Sequence, residues 1–116
     1  MNRPFKFRVW DIKDKCWDNP AHVEVWDSSG ILKHMYGEEN YVIQQYTGLQ
    51  DNNKKDIYEG DIVIYTINKK TYMSVIMWKN FGWVTQDYPE GLSFPLTTET
   101  EYTIIGNIFE NSHVLK

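Results

Sequence analysis

The sequence predicts a mainly β fold: a small β-barrel or compact β-sandwich with short irregular or helical connections. Three observations carry this expectation. Apolar residues alternate with period 2 in short runs such as Phe5-Lys6-Phe7-Arg8-Val9-Trp10 and His22-Val23-Glu24-Val25-Trp26. Turn-forming clusters such as Asp27-Ser28-Ser29-Gly30 separate the runs. No stretch longer than about ten residues keeps the spacing of an amphipathic helix. Barrel closure would remove the exposed edges that so many strands otherwise present.

The elements follow in order. Phe5, Phe7 and Val9 fall on one face of the first strand, and Lys6, Arg8 and Trp10 on the other. Asp11 to Asp18 reads as a polar turn. The second strand puts Val23 and Val25 inward and Trp26 on the opposite face. Met35 to Asn40 reads as an irregular connection, and Tyr41 to Thr47 as a strand rich in β-formers. Gly48 ends that strand and opens a polar loop to Asp56. Asp61 to Ile67 and Thr71 to Trp78 form a hairpin across Asn68-Lys69-Lys70. Lys79 to Gly82 turns the chain into Trp83-Val84-Thr85. Pro89, Gly91 and Pro95 mark a loop, Leu96 to Glu101 a short helical turn, and Tyr102 to Phe109 the last strand. Gly106 within that strand predicts a bulge or a close backbone approach.

At 116 residues the chain makes one domain, 1–116, or two small β lobes at about 1–55 and 56–116. The net charge of −4 arises entirely after residue 80, where Lys116 stands alone against Asp87, Glu90, Glu99, Glu101 and Glu110. That sign opposes strong phosphate binding. No apolar run approaches the roughly 20 residues that cross a bilayer, so no membrane partner is expected. Met1 to Trp10 lacks the apolar block of a secretory signal. Cys16 is the one cysteine, which excludes an internal disulfide and a four-cysteine zinc site and fits a reducing cytoplasm. Aromatic residues reach 16%, enough large rings to fill a small core with some left over.

The segments Gln45-Tyr46-Thr47-Gly48-Leu49-Gln50-Asp51 and Lys55-Asp56-Ile57-Tyr58-Glu59-Gly60-Asp61-Ile62-Val63 resemble the YopX family of bacteriophage and prophage proteins. Lys6 to Asp11 is similar to the opening strand of that family, and Ile104 to Asn111, with Gly106-Asn107, to its closing one. The resemblance implies one mainly β domain of SH3-like barrel character, no established activity, and a place in the cytoplasm of a bacterial host cell. The family commonly has Asn-Gly before the Tyr-Glu-Gly-Asp stretch. Here Asn52-Asn53-Lys54-Lys55 lacks glycine, so the turn type is open; Asn accepts positive φ better than most residues.

Each candidate site has a structural reading beside its functional one. In Tyr58-Glu59-Gly60-Asp61, Gly60 supplies a positive φ, Asp61 accepts backbone N–H bonds and Glu59 points to solvent; the functional reading pairs the two acids. Tyr46-Thr47-Gly48 reads as a similar turn, capped by Thr47. His22 and Glu24 share a strand face as potential metal ligands, with Cys16 and His34 to complete a site, but no dense cluster exists and no metal or cofactor is expected. Cys16 has His22, His34 and His113 as potential bases, yet it reads as a small apolar filler, and no nucleophile turn or phosphate loop is present. Lys54, Lys55, Lys69 and Lys70 in loops, with Tyr65 and Tyr72 as stacking platforms, suit a nucleic acid. Trp10 and Trp26, opposite the core-facing residues, serve either a second buried face or an interface. The expected function is a non-catalytic phage accessory protein that binds another protein or assembles with itself. Nucleic-acid binding through an SH3/OB-like surface is the alternative.

Overall fold

The computed structural model describes residues 6–26, 31–34, 36–37, 39–79, 82–88 and 91–115, and of 24–26 and 31–34 the backbone. Phe5, the Asp27–Gly30 turn, Pro89 and parts of the 35–40 and 79–82 connections lie outside these residues. The fold is mainly β, with two antiparallel sheets, one of them curled into a half-barrel.

The first sheet contains β1 (Phe7–Asp11), β2 (Cys16–Asp18), β5 (Tyr41–Gln50) and β6 (Asp56–Tyr58), in the order β2-β1-β5-β6. A separate hairpin pairs β3 (Val23–Trp26) with β4 (Ile31–His34). The curled sheet contains β7 (Asp61–Ile67), β8 (Lys70–Lys79), β9 (Gly82–Tyr88), β10 (Ser93–Pro95) and β11 (Thr103–Asn107), in the order β10-β9-β8-β7-β11. Short 3-10 turns occupy Pro20–His22 and Ser112–Leu115.

Period-2 patterning explains the long strands. Strand β7 and its partner β8 match the predicted hairpin, which is closed by two residues, Asn68 and Lys69, at φ 51° and 68°. Two successive positive φ values follow the strand twist, as in a type I′ turn. Several expectations needed correction. Residues 16–18 form a strand rather than the end of a polar turn. Gly48 does not end β5, which continues to Gln50; its φ of 91° sits where the β5–β6 register shifts. Thr47 spans that irregularity, donating to the Ile57 carbonyl at 2.8 Å and accepting from Leu49 N–H. In the 51–55 loop the positive φ, 63°, falls on Lys54 rather than on an Asn.

Alternation places Val63, Tyr65, Tyr72, Ser74, Ile76, Trp78, Trp83, Thr85, Asp87, Phe94 and Ile104 on one face of the curled sheet. Its centre is the core: Val63, Tyr65 and Ile76 pack with Ile57 and Tyr102, and Leu49, Tyr72, Trp83, Leu96 and Ile104 close around them. Ile57 and Leu49 come from the first sheet, so this core joins the two sheets.

Gly60 forms the second joint. Its N–H bonds the Ile76 carbonyl at 2.8 Å and its carbonyl accepts from Ile108 at 2.9 Å. Its φ is +84°, and an added Cβ would lie 2.1 Å from Gln44 Nε2. Gly60→Ala is therefore expected to destabilise the protein by about 2–4 kcal/mol, combining left-handed strain with overpacking. Urea unfolding monitored by tryptophan fluorescence measures this; an unchanged midpoint would contradict the joint.

Candidate functional site

The Tyr58-Glu59-Gly60-Asp61 stretch is built around Arg8. From β1 the guanidinium reaches Asp61 Oδ1 at 2.7 Å, Gln44 Oε1 at 3.0 Å and the Glu59 carbonyl at 3.3 Å. It lies over the rings of Trp17 and Tyr58, at 4.5 and 4.9 Å. Asp61 is 2% exposed and also accepts from Tyr58 N–H at 2.8 Å, as its turn role predicts. Burial pushes the Asp61 carboxyl up, while Arg8 and that N–H pull the other way. Glu59 departs from expectation: it is half-buried rather than solvated, and burial pushes its carboxyl up. Glu59 and Asp61 are not paired acids, since Asp61 is consumed by Arg8.

Gly106-Asn107 has a comparable structural role. The β11 register shifts at Gly106, where an added Cβ would meet the Asn111 side chain at 2.6 Å. Asn107 Oδ1 accepts from Phe109 and Glu110 N–H, and its amide donates to Glu110. The 51–55 loop is held by Asp51, which is 6% exposed. Its carboxylate accepts from Asn53, Lys55 and Ile104 N–H at 2.9–3.1 Å.

On the curled face, Tyr65 and Tyr72 stack as a cross-strand pair at 5.5 Å, and Tyr102 meets Tyr65 edge-on at 5.4 Å. With Ile67, Phe94 and Pro95 they line an apolar groove of about 450 Å³. Beneath it, Tyr65 Oη and Ser74 Oγ both donate to Asp87 Oδ1, all within a buried network that includes Thr85. The polar ends of these side chains bond one another, so the groove presents ring faces and apolar edges. An adjoining crevice shares Tyr65 and Ile67 but is edged by Glu99 and Glu101.

A family model described as YopX protein matches residues 6–116. The chain belongs to the YopX family. Protein EF1440 from Enterococcus faecalis shares its fold, with 24% identity, TM-score 0.68, and coverage of 99% of this chain and 100% of that one. Protein yopX from Bacillus subtilis does so at 16% identity and TM-score 0.60, covering 95% and 97%. No curated protein matches.

The other predicted residues of this YopX chain scatter. Trp10 is 7% exposed, stacked on Phe109 at 5.3 Å and met edge-on by Trp17 at 4.9 Å, so its ring belongs to a buried second face and offers nothing to a partner. The Trp26 side chain lies outside the described residues, as do those of Glu24 and His34. Tyr65 is 6% exposed, too buried to stack a base. Lys70 lies over the Tyr72 ring at 5.1 Å, next to Lys69 in the hairpin turn. Lys55 instead lines a separate crevice with Arg8 and Asp61. Tyr46 and Tyr58 are ring neighbours at 5.7 Å. His22 Nδ1 lies 2.9 Å from Asp18, and among the described residues no three ligating side chains converge as a metal site would require. Cys16 is exposed rather than a core filler, and loss of some hydration, with Asp11, Asp14 and Asp18 nearby, pushes its thiol up, away from the nucleophilic thiolate.

Sequence reasoning overlooked the pair Trp78 and Trp83. They sit directly opposite each other on β8 and β9, and Trp78 is 51% exposed. The available signal was parity: Trp78 shares a face with Ile76, and Trp83 with Thr85.

Two outcomes follow. Arg8→Ala should cost about 3–5 kcal/mol, because it strands the buried Asp61 charge, and Arg8→Lys should recover only part of that. Denaturant melts of both variants, with the Arg8→Ala/Asp61→Ala double variant less destabilised than the sum, check it. Burial raises the Asp51 carboxyl, but its backbone N–H bonds outweigh this and hold it below the ordinary value of 3.8. Its contribution is thus complete above the ordinary carboxylate range and lost as pH falls through the lowered folded value. Asp51→Asn should be less stable at neutral pH and lose less stability than the parent on acidification, as paired melts along a pH series would show.

Proposed function

We propose that this protein is a non-catalytic binding module that receives an extended segment of a partner protein, bearing an aromatic or branched aliphatic side chain, in the groove of Tyr65, Tyr72 and Tyr102. The observation that carries the reading is the groove itself. Tyr65 and Tyr102, almost fully buried, form its floor, and the accessible surface comes from half-buried Tyr72 and from the exposed Phe94 and Ile67, at 47% and 46%. Rigid aromatic surface loses little entropy on binding and supplies large contact area. Strand β10, at the sheet edge, contributes Phe94 and Pro95 to the groove. None of the described lining residues is a carboxylate, an imidazole or a thiol, which favours binding over chemistry.

Nucleic acid is the less favoured occupant. The lysine pairs do not share one crevice, and Glu99 and Glu101 edge the crevice that adjoins the groove at Tyr65 and Ile67. With the family resemblance, this reading becomes that of a phage or prophage accessory protein acting in a bacterial cytoplasm.

A displayed random peptide library tests the reading. Enriched peptides should carry aromatic or branched side chains and bind Tyr72→Ala and Phe94→Ala variants at least about tenfold more weakly, a loss near 1.4 kcal/mol. Equal binding to parent and variants would overturn it. A concentration-dependent mass in sedimentation that Tyr72→Ala abolishes would replace the partner by a second copy. Low-salt binding of labelled single-stranded DNA that is lost on lysine substitution would replace it by nucleic acid.

A further inference from the structure

Across the buried centre of the same curled face from the tyrosines lies a second, chemically different recess. Trp78 and Trp83 are directly paired across β8 and β9, with ring centroids 4.9 Å apart and planes at 74°. Trp83 packs against the core, which fixes its ring, while Trp78 stays half exposed. Two rings near a right angle leave a corner bounded by two π faces. Glu59 and Gln45 complete its walls, enclosing about 410 Å³. Glu59 is positioned from the opposite sheet, its N–H bonded to the Gln45 carbonyl at 2.9 Å.

The charge in this recess is unbalanced. Among the described residues no cation pairs with the Glu59 carboxylate. Arg8, whose guanidinium reaches the Glu59 main-chain carbonyl, is paired with Asp61, and no lysine or arginine among the described residues lines the recess. A half-buried carboxylate beside two tryptophan faces has one good complement. A cation with a diffuse charge is attracted by the ring quadrupoles and neutralises the acid, and indole is the strongest of the aromatic faces.

We propose that the corner of Trp78, Trp83 and Glu59 binds an organic cation, either the ammonium or guanidinium end of a polypeptide side chain or a free quaternary amine. This site is independent of the tyrosine groove and stands or falls without it. Neither a metal nor a phosphate fits: one carboxylate provides too few oxygen ligands, and the negative corner repels anions.

The experiment is a titration of the intact protein followed by the indole N–H resonances of Trp78 and Trp83. The probes are choline, its uncharged isostere 3,3-dimethylbutan-1-ol, N-acetyl-lysinamide, N-acetyl-argininamide and a lysine-rich peptide, with sodium chloride as the ionic control. Saturable shifts are expected with the cations, at least about tenfold weaker with the isostere. Trp78→Ala and Glu59→Gln should each weaken binding, and Trp78→Phe should retain part of it. Because Trp78 is half exposed, its variants should keep the parent spectrum elsewhere. A peptide that binds much more tightly than the free amides marks a protein source, and choline as the tightest probe marks a small molecule. The proposal is overturned if the shifts match the sodium chloride control, if the isostere binds as well as choline, or if Trp78→Ala leaves the affinity unchanged.

Discussion

The ion pair between Arg8 and Asp61 is the constraint on which the two sheets depend. Arg8 belongs to β1 and Asp61 begins β7, so the 2.7 Å contact crosses from one sheet to the other. Asp61 is almost out of water and the Arg8 side chain is 21% exposed, with Trp17 and Tyr58 against its guanidinium. Such burial carries a large desolvation cost, which is recovered only when the remaining hydrogen-bonding capacity is satisfied. Gln44, the Glu59 carbonyl and Tyr58 N–H provide that satisfaction. Three elements are thereby set at once: the turn at Gly60, the position of β5 and the stacking of Trp17. Arginine suits the role because a planar fork can bond in its plane and stack above and below it; lysine has no equivalent geometry.

The abundant aromatics divide by what covers them. Trp10, Trp17 and Phe109 close the outer side of the first sheet, and Trp17 Nε1 is secured by Glu110 at 3.0 Å. Tyr65 and Tyr102 build the shared core and leave Tyr72 at its rim. Trp83 packs at the margin of the core and Trp78, beyond it, stays half exposed. Burial of Trp10 under Phe109 and Trp17 explains why a tryptophan opposite the inward residues of β1 need not be a docking surface: its ring is covered there. The exposed aromatic surface instead occupies the two ends of the curled face, one uncharged and one bearing a carboxylate.

The mainly β class, the β7–β8 hairpin, the left-handed Gly60 and the bulge at Gly106 were legible in the sequence because each is set within a few residues. Alternation specifies strands, and an unusual backbone conformation requires glycine locally. Strands β2, β4 and β10, at three or four residues, carry too little pattern of their own and exist because a partner strand lies alongside. Lys54 took the positive φ in place of an Asn because the three N–H bonds to Asp51, one of them from Ile104 in β11, fix the loop. Local propensity could not show that long-range acceptor. Glu59 was misplaced for the same reason: a residue in the turn before Gly60 would meet water, but Trp78 of β8 and Trp83 of β9 stand beside it. Trp78 and Trp83 were readable by parity alone, yet only the pairing register puts them opposite each other.

Charge arithmetic changes meaning once these positions are known. The last third of the chain holds the whole net excess of acid, which argues in bulk against a polyanionic partner. Asp87 is buried and bonded to Tyr65 and Ser74, and Glu110 is engaged by Trp17 and Asn107. Those acids are structural, and they make no patch that mimics nucleic acid. Glu99 and Glu101 remain exposed, edging the crevice that adjoins the tyrosine groove. The repulsion of phosphate is therefore concentrated beside the aromatic surface a nucleic acid would need, while Glu59 adds negative charge at the far end of the same sheet face. A partner matching both ends would be apolar where it meets the tyrosines and cationic where it meets the tryptophans, a pattern natural to a polypeptide segment and foreign to a phosphate backbone.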